Sequence, residues 1–137
     1  MSNNVIERLF NSHKIRYALL DKYIEYDKEK QRMAYMVIDL EYLLSKFLYN
    51  IGYMDIKDLK ITEEDQNMFI AGLLNVISHY KNYFFKYMDA LSFFYISINN
   101  KKYKRDKQIS NMIKRLISIV LLIPRVNIYY YENGEQN

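Results

Sequence analysis

There is no cysteine in the 137 residues, so neither a disulfide framework nor a thiolate metal site is available, and no redox compartment can be read. Three glycines and one proline are the whole supply of turn residues. A sandwich or barrel of this length spends many more on its tight turns. Histidine is confined to His13 and His79, without the spacing that pairs imidazoles on zinc. No metal and no cofactor is therefore expected. Gly52, Gly72 and Gly134 stand far apart, which removes a glycine-rich phosphate loop.

Long apolar runs are missing as well. Leu116–Ile123 is eight residues, against the ~20 a membrane helix needs. Tyr83–Ile98 carries Lys86 and Asp89 inside it, each costly in lipid. The start, MSNNVIERLF, has no cationic segment, apolar block and small-residue cleavage site. The expectation is a protein that is not secreted and has no membrane partner.

What is present is a half-hydrophobic chain with fifteen tyrosines and a net charge of +4. That composition excludes global disorder and suits one domain, expected over residues 1–132 with a frayed tail at 133–137. The charge is not spread evenly. Asn99 to Arg115 carries seven cations against Asp106 alone, a net of +6, leaving −2 for the other 120 residues.

Helical periodicity dominates the reading. A first helix is expected from Asn3 or Asn4 to about Tyr26, on the stripe Val5, Leu9, Leu19/Leu20, Tyr23 and Ile24. The charged Asp27–Arg32 stretch marks either a bend or a solvated turn. Met33, Met36, Val37, Leu40, Leu43, Leu44, Phe47, Leu48 and Ile51 recur at three- and four-residue steps, predicting a second helix closed by Gly52. Thr62 followed by Glu63, Glu64 and Asp65 is a helix start. The third helix is expected to run from there to Ile98, with a kink near 79–82. A fourth begins near Gln108–Ser110 and stops before Pro124. Arg125–Tyr131 alternates briefly, which fits a short strand or an extended tail. The expected fold is all-α, an antiparallel four-helix bundle with long helices and a short extended C-terminal tail.

Catalytic constellations are sparse. Asp21/Glu25 fits a solvated helix face, and Glu63, Glu64 and Asp65 a helix start; a di-metal bundle would need Glu-x-x-His pairs that are absent. The strongest signal is KKYKRDK, residues 101–107. Its five cations around Tyr103 combine phosphate-neutralising charge with a stacking ring. Lys114 and Arg115 extend it onto the next helix. The candidate binding set is Lys101, Lys102, Tyr103, Lys104, Arg105, Lys107, Lys114 and Arg115. Tyr129, Tyr130 and Tyr131 are candidate interaction aromatics, since tyrosine gives contact area at low entropic cost; packing of the tail on its own core is the competing account.

Two resemblances accompany these patterns. Arg8-Leu-Phe-Asn-Ser-His13 resembles the Arg-x4-His motif of the HEPN helical-bundle ribonucleases, which would imply metal-independent RNA cleavage by Arg8 and His13. The stretch YKNYFFKYMDALSFFYISINNKKYKRDK is similar in texture to small helical proteins of AT-rich archaeal viruses and phages. The leading expectation is a virus-encoded, non-enzymatic protein that engages nucleic acid, or an acidic surface of a nucleic-acid machine, through Lys101–Arg115. It would coat nucleic acid or obstruct a host complex, in host cytoplasm or virion. A self-associating assembly subunit is the alternative binding function, and the ribonuclease the alternative enzyme.

Overall fold

The computed structural model of the chain describes residues 16–24, 29–99, 101 and 104–131. Among the described residues four strands and three helices follow in the order β1 (Arg16–Ile24), β2 (Glu29–Asp39), α1 (Leu40–Ile51), α2 (Glu63–Met88), β3 (Ala90–Asn99), α3 (Lys107–Val120) and β4 (Val126–Tyr131). The strands form one sheet in the order β1-β2-β3-β4. β1 and β2 pair antiparallel, whereas β2–β3 and β3–β4 are parallel. Parallel neighbours need crossover connections. Here α1 and α2 make the first crossover and α3 the second.

The expected all-α four-helix bundle is therefore wrong: this is a mixed α/β fold. Arg16–Ile24, read as helix, is a strand. The predicted second helix is divided at Asp39: Met33–Asp39 belongs to β2, and only Leu40–Ile51 is helical. The predicted third helix stops at Met88, and Ala90–Asn99 is strand. The reason is the burial of these strands on both faces. A strand covered on both sides is a continuous apolar run and lacks alternation. MAYMVI and LSFFYISI satisfy a helical stripe as easily as a strand. The expected helix start at Thr62 holds, however, the last helix begins at Lys107, next to its expected start, and of the two forms left open for the tail it takes the short strand.

Local chemistry fixes the boundaries. The Asp39 carboxylate accepts the Glu41 N–H at 3.0 Å and caps α1. Gly52, at φ 76°, closes the helix by donating its N–H to the Leu48 and Tyr49 carbonyls; a Cβ there would meet both the left-handed backbone and Ile56 Cδ1 at 3.3 Å. Thr62 and Asp65 form a reciprocal capping box at the start of α2. At the other end Asp89 takes φ 48°, turning the chain from helix into β3 within one residue. Arg32 donates to the Met88 carbonyl at 3.5 Å there.

Even-numbered strand residues make the main core. Ala34, Met36 and Ile38 of β2, Ala90, Phe94, Ile96 and Ile98 of β3, and Val126 of β4 pack against Leu40, Leu44 and Leu48 of α1. Phe69, Ile70, Leu73, Ile77 and Phe84 of α2, and Ile109, Met112, Ile113, Leu116 and Val120 of α3, complete it. All three helices thus lie on one face of the sheet. Both crossovers step the same way across it, and crossovers of one hand then deposit their helices on one side. The opposite face carries Tyr35 and Val37, 1% and 2% exposed, among Met33, Phe93, Tyr95 and Tyr129. The Tyr35 ring stacks on Phe93 at 5.3 Å.

Burial raises the Tyr35 phenol above the ordinary tyrosine value of 10.0, and the neighbouring Tyr95 adds to the rise. Tyr95 is raised by burial too. A folded-state pKa above the unfolded one means the contribution is complete below pH 10 and lost as pH climbs through the folded value. Alkaline denaturation should therefore begin above pH 10, and Tyr35→Phe should shift its midpoint upward, measured by tyrosinate absorbance alongside circular dichroism. In the main core, Leu116→Ala should lower the unfolding free energy by about 2–5 kcal/mol. Leu122→Ala, at a side chain 83% exposed, should change it by less than about 0.5 kcal/mol in the same urea titration.

Candidate nucleic-acid interface

The parallel strands end at one edge of the sheet, and the basic segment lies there. β3 finishes at Asn99, whose Oδ1 accepts the Lys101 N–H at 3.0 Å. The chain then turns into α3 through Lys104 and Arg105, a turn held by the Lys104 N–H on the Lys101 carbonyl. Asp106 caps α3, its Oδ1 accepting the Ile109 N–H at 3.0 Å. The one acid of the segment is consequently occupied in structure. Its other oxygen, Oδ2, accepts the Tyr53 hydroxyl at 2.6 Å.

Tyr53 belongs to the connection between α1 and α2, so this contact fastens that connection to the start of α3. Gln108 adds two more ties: its Oε1 accepts the Ile61 N–H at 2.7 Å and its Nε2 donates to the Leu59 carbonyl at 3.1 Å. The hydrogen bond to Asp106 is the main cause that raises the Tyr53 phenol, with burial and the Asp106 charge acting the same way and Gln108 opposing. The basic turn is thereby braced from behind by three side-chain bonds between segments some fifty residues apart.

The predicted cations separate into two groups. Lys101, Lys104, Arg105, Lys107 and Lys114 are exposed. Among the described residues, the side chains of Lys104, Arg105, Lys107 and Lys114 have no hydrogen-bond or ion-pair partner. Arg115 differs: it is half-buried, donating to Gln66 Oε1 at 3.2 Å and to Asn67 Oδ1. It clamps α3 to the first turn of α2 and is not available to a ligand. Lys102 and Tyr103 lie outside the described residues, as do Arg8 and His13.

The tyrosine triplet is divided by the strand it occupies. In β4 successive side chains point to opposite faces. Tyr129 is half-buried with the aromatic cluster of Tyr35 and Phe93, while Tyr130 is 52% exposed on the helix side. The side chain of Tyr131 is outside the described residues. The three do not form one exposed aromatic patch.

A cavity of about 240 Å³ opens beside the basic turn, lined by Ile98, Asn99, Lys104, Ser110, Ile113, Lys114, Ile117 and Tyr130. Ile98 and Tyr130 are register partners at the ends of β3 and β4, so their side chains lie next to each other as its floor. Ser110, Ile113, Lys114 and Ile117 fall at i, i+3, i+4 and i+7 along α3 and share one helix face. A second cavity, about 300 Å³ between α1 and α2, has Lys46 as its only cation beside Leu43, Phe47, Met68, Phe69 and Val76. Charge favours the first, which carries two lysines against one.

Asn99, Ser110 and Ile117 carry no weight in the sequence until β3 is known to end at 99. Asn99 reads there as the end of a helix and Ser110 as the start of another. The available signal was the stripe at i, i+3, i+4 and i+7 from Ser110 to Ile117, polar at one end and apolar at the other. Among the described residues no group of three or more His, Asp and Glu side chains is placed to hold a metal ion, and no helix is long and apolar enough to cross a membrane. His79 is exposed and packs edge-on against Tyr80. No family model, curated protein or solved structure matches the chain.

Arg115→Lys tests the division of labour. A lysine cannot fork onto two amide oxygens, so the urea midpoint should fall. Affinity for a single-stranded oligonucleotide should stay within about two-fold of the parent, since full charge is kept.

Proposed function

We propose that the protein is a small nucleic-acid-binding protein that neutralises backbone phosphates with the cations around the start of α3. The observation that supports this reading is the set Lys104, Arg105, Lys107 and Lys114: exposed, unpartnered among the described residues and following one another from the turn before α3 along the first half of that helix. Such a cluster is unfavourable by itself through mutual repulsion. The phosphates of a bound strand relieve that repulsion and release condensed counterions as they do so. The bracing by Tyr53, Asp106 and Gln108 supports the reading further, because a rigid mount loses less entropy on binding than a free loop.

A binding role without catalysis fits the composition of the site, which contains lysines, a serine, an asparagine and a tyrosine but no carboxylate or imidazole in its lining. The Tyr-, Lys- and Asn-rich texture of the chain supports a virus-encoded origin, with action in the host cytoplasm or in the virion.

Replacing Lys104, Arg105, Lys107 and Lys114 together by Gln should weaken binding of a single-stranded oligonucleotide and flatten its salt dependence. The slope of log K against log salt should shrink by up to about 0.7 for each phosphate contact removed. Fluorescence anisotropy across a salt series measures both. An unchanged slope in a folded quadruple variant, or tighter capture of an acidic protein surface than of any oligonucleotide, would overturn the proposal.

A further inference from the structure

The cavity under the basic turn has a chemistry that phosphate neutralisation alone does not require. Its lining is apolar on two sides: Ile98 from β3, and Ile113 and Ile117 from α3. The ring of Tyr130 stands beside Ile98 at the end of the neighbouring strand. Polar groups are confined to Asn99, Ser110, Lys104 and Lys114. A bare anion gains nothing from isoleucine walls, and a wholly apolar ligand gains nothing from two lysines. At about 240 Å³ the space is several times the ~30 Å³ share of a water molecule. It suits a ligand with a flat ring at one end and an anionic group at the other.

We infer that this cavity is a nucleotide subsite, in which one base of a single strand seats against Tyr130 and the three isoleucines while its phosphate meets Lys104 and Lys114. The inference rests on the proposed nucleic-acid binding and names the part of the strand that the cavity takes. Geometry supports the division. Lys114 follows Ile113 on α3 and lies one turn before the next apolar wall residue, Ile117, so cation and apolar surface adjoin on one helix face. Tyr130 is half exposed, which leaves ring surface for stacking; base–aromatic stacking tolerates any base, since each has a π face. Ser110 lines the same space and offers its hydroxyl to a base edge or sugar. Lodging one base in this way requires a strand whose bases are unpaired, so single strands should bind better than duplexes of equal length.

The probes are adenosine monophosphate, adenosine and inorganic phosphate, titrated separately into the full chain and followed by chemical-shift changes at Ile98, Ile113, Ile117 and Tyr130. Adenosine monophosphate should perturb these residues and bind at least ten-fold more tightly than adenosine or phosphate alone. Tyr130→Ala should weaken it about ten-fold, with Tyr130→Phe restoring most of the loss. Ile117→Phe, which fills the space from the helix side, should abolish mononucleotide binding yet leave the salt slope for a long oligonucleotide intact. Should Ile117→Phe fail to fold, Ser110→Leu narrows the cavity from a half-buried position and serves instead. Mononucleotide binding unaffected by the filling variant, or equal affinity for phosphate and mononucleotide, overturns the subsite. Oligonucleotide binding with a normal salt slope but no mononucleotide signal also overturns it, while sparing the proposed function. Loss of both kinds of binding in the parent protein removes the two together.

Discussion

The parallel pairing of β2, β3 and β4 is the constraint from which the other features follow. Parallel neighbours cannot be joined by a tight turn, so α1 and α2 must carry the chain back for β3, and α3 must carry it back for β4. The first helix of each crossover, α1 or α3, then begins where a strand has just ended. That requirement brings Asp39, Asn99 and Tyr130 to one edge of the sheet and puts the start of α3 beside them. The main core makes the arrangement favourable. Ala34, Met36, Ile38, Phe94, Ile96 and Ile98 line up on the helix side only in this register, and a slip by one residue would send them all to the other face.

Several side chains that look suited to binding are committed to holding these elements in place. Asp106 caps α3 and accepts Tyr53; Gln108 satisfies two backbone groups of the α1–α2 connection; Arg115 ties α3 to α2. Removing any one leaves a half-buried polar partner with nothing to bond, which costs more than the bond itself is worth. What remains for a ligand is the set of cations that the frame does not use. The stretch from Lys104 to Arg115 therefore divides by role: Asp106, Gln108 and Arg115 face the fold, and Lys104, Arg105, Lys107 and Lys114 face water. Arg125 also serves the frame, at φ 61°, donating to the Ser92 carbonyl at 3.0 Å as β4 begins.

The sheet's second face explains the abundance of aromatic residues. Tyr35, Phe93, Tyr95 and Tyr129 occupy odd-numbered strand positions, and the wide contact area of each ring fills a layer that no described helix covers. The tyrosines of α2 behave unequally. Tyr80 is half-buried, Tyr83 lies near the surface and Tyr87 is largely exposed, because α2 turns its narrow apolar face to the sheet and no other described helix receives the opposite side.

Local chemistry was readable in the residues themselves. Thr62 with Asp65, Gly52 after Ile51, and the amphipathic run expected from near Gln108–Ser110 to before Pro124 depend on neighbours three or four positions away; the first two appear where their patterns point, and the helix observed over Lys107–Val120 lies within a few residues of its expected bounds. The concentration of positive charge between Asn99 and Arg115 was equally plain. Tertiary structure alone decided that Met33–Asp39 and Ala90–Asn99 are strands. Their apolar runs satisfy either period, and partners more than fifty residues away tip the balance by supplying hydrogen bonds along the whole length of each strand. It also decided which cations reach water, since Arg115 and Lys114 are adjacent in the chain yet face opposite duties. The cavity belongs to the same class of fact: Ile98 and Tyr130 become neighbours only when two distant segments pair in register.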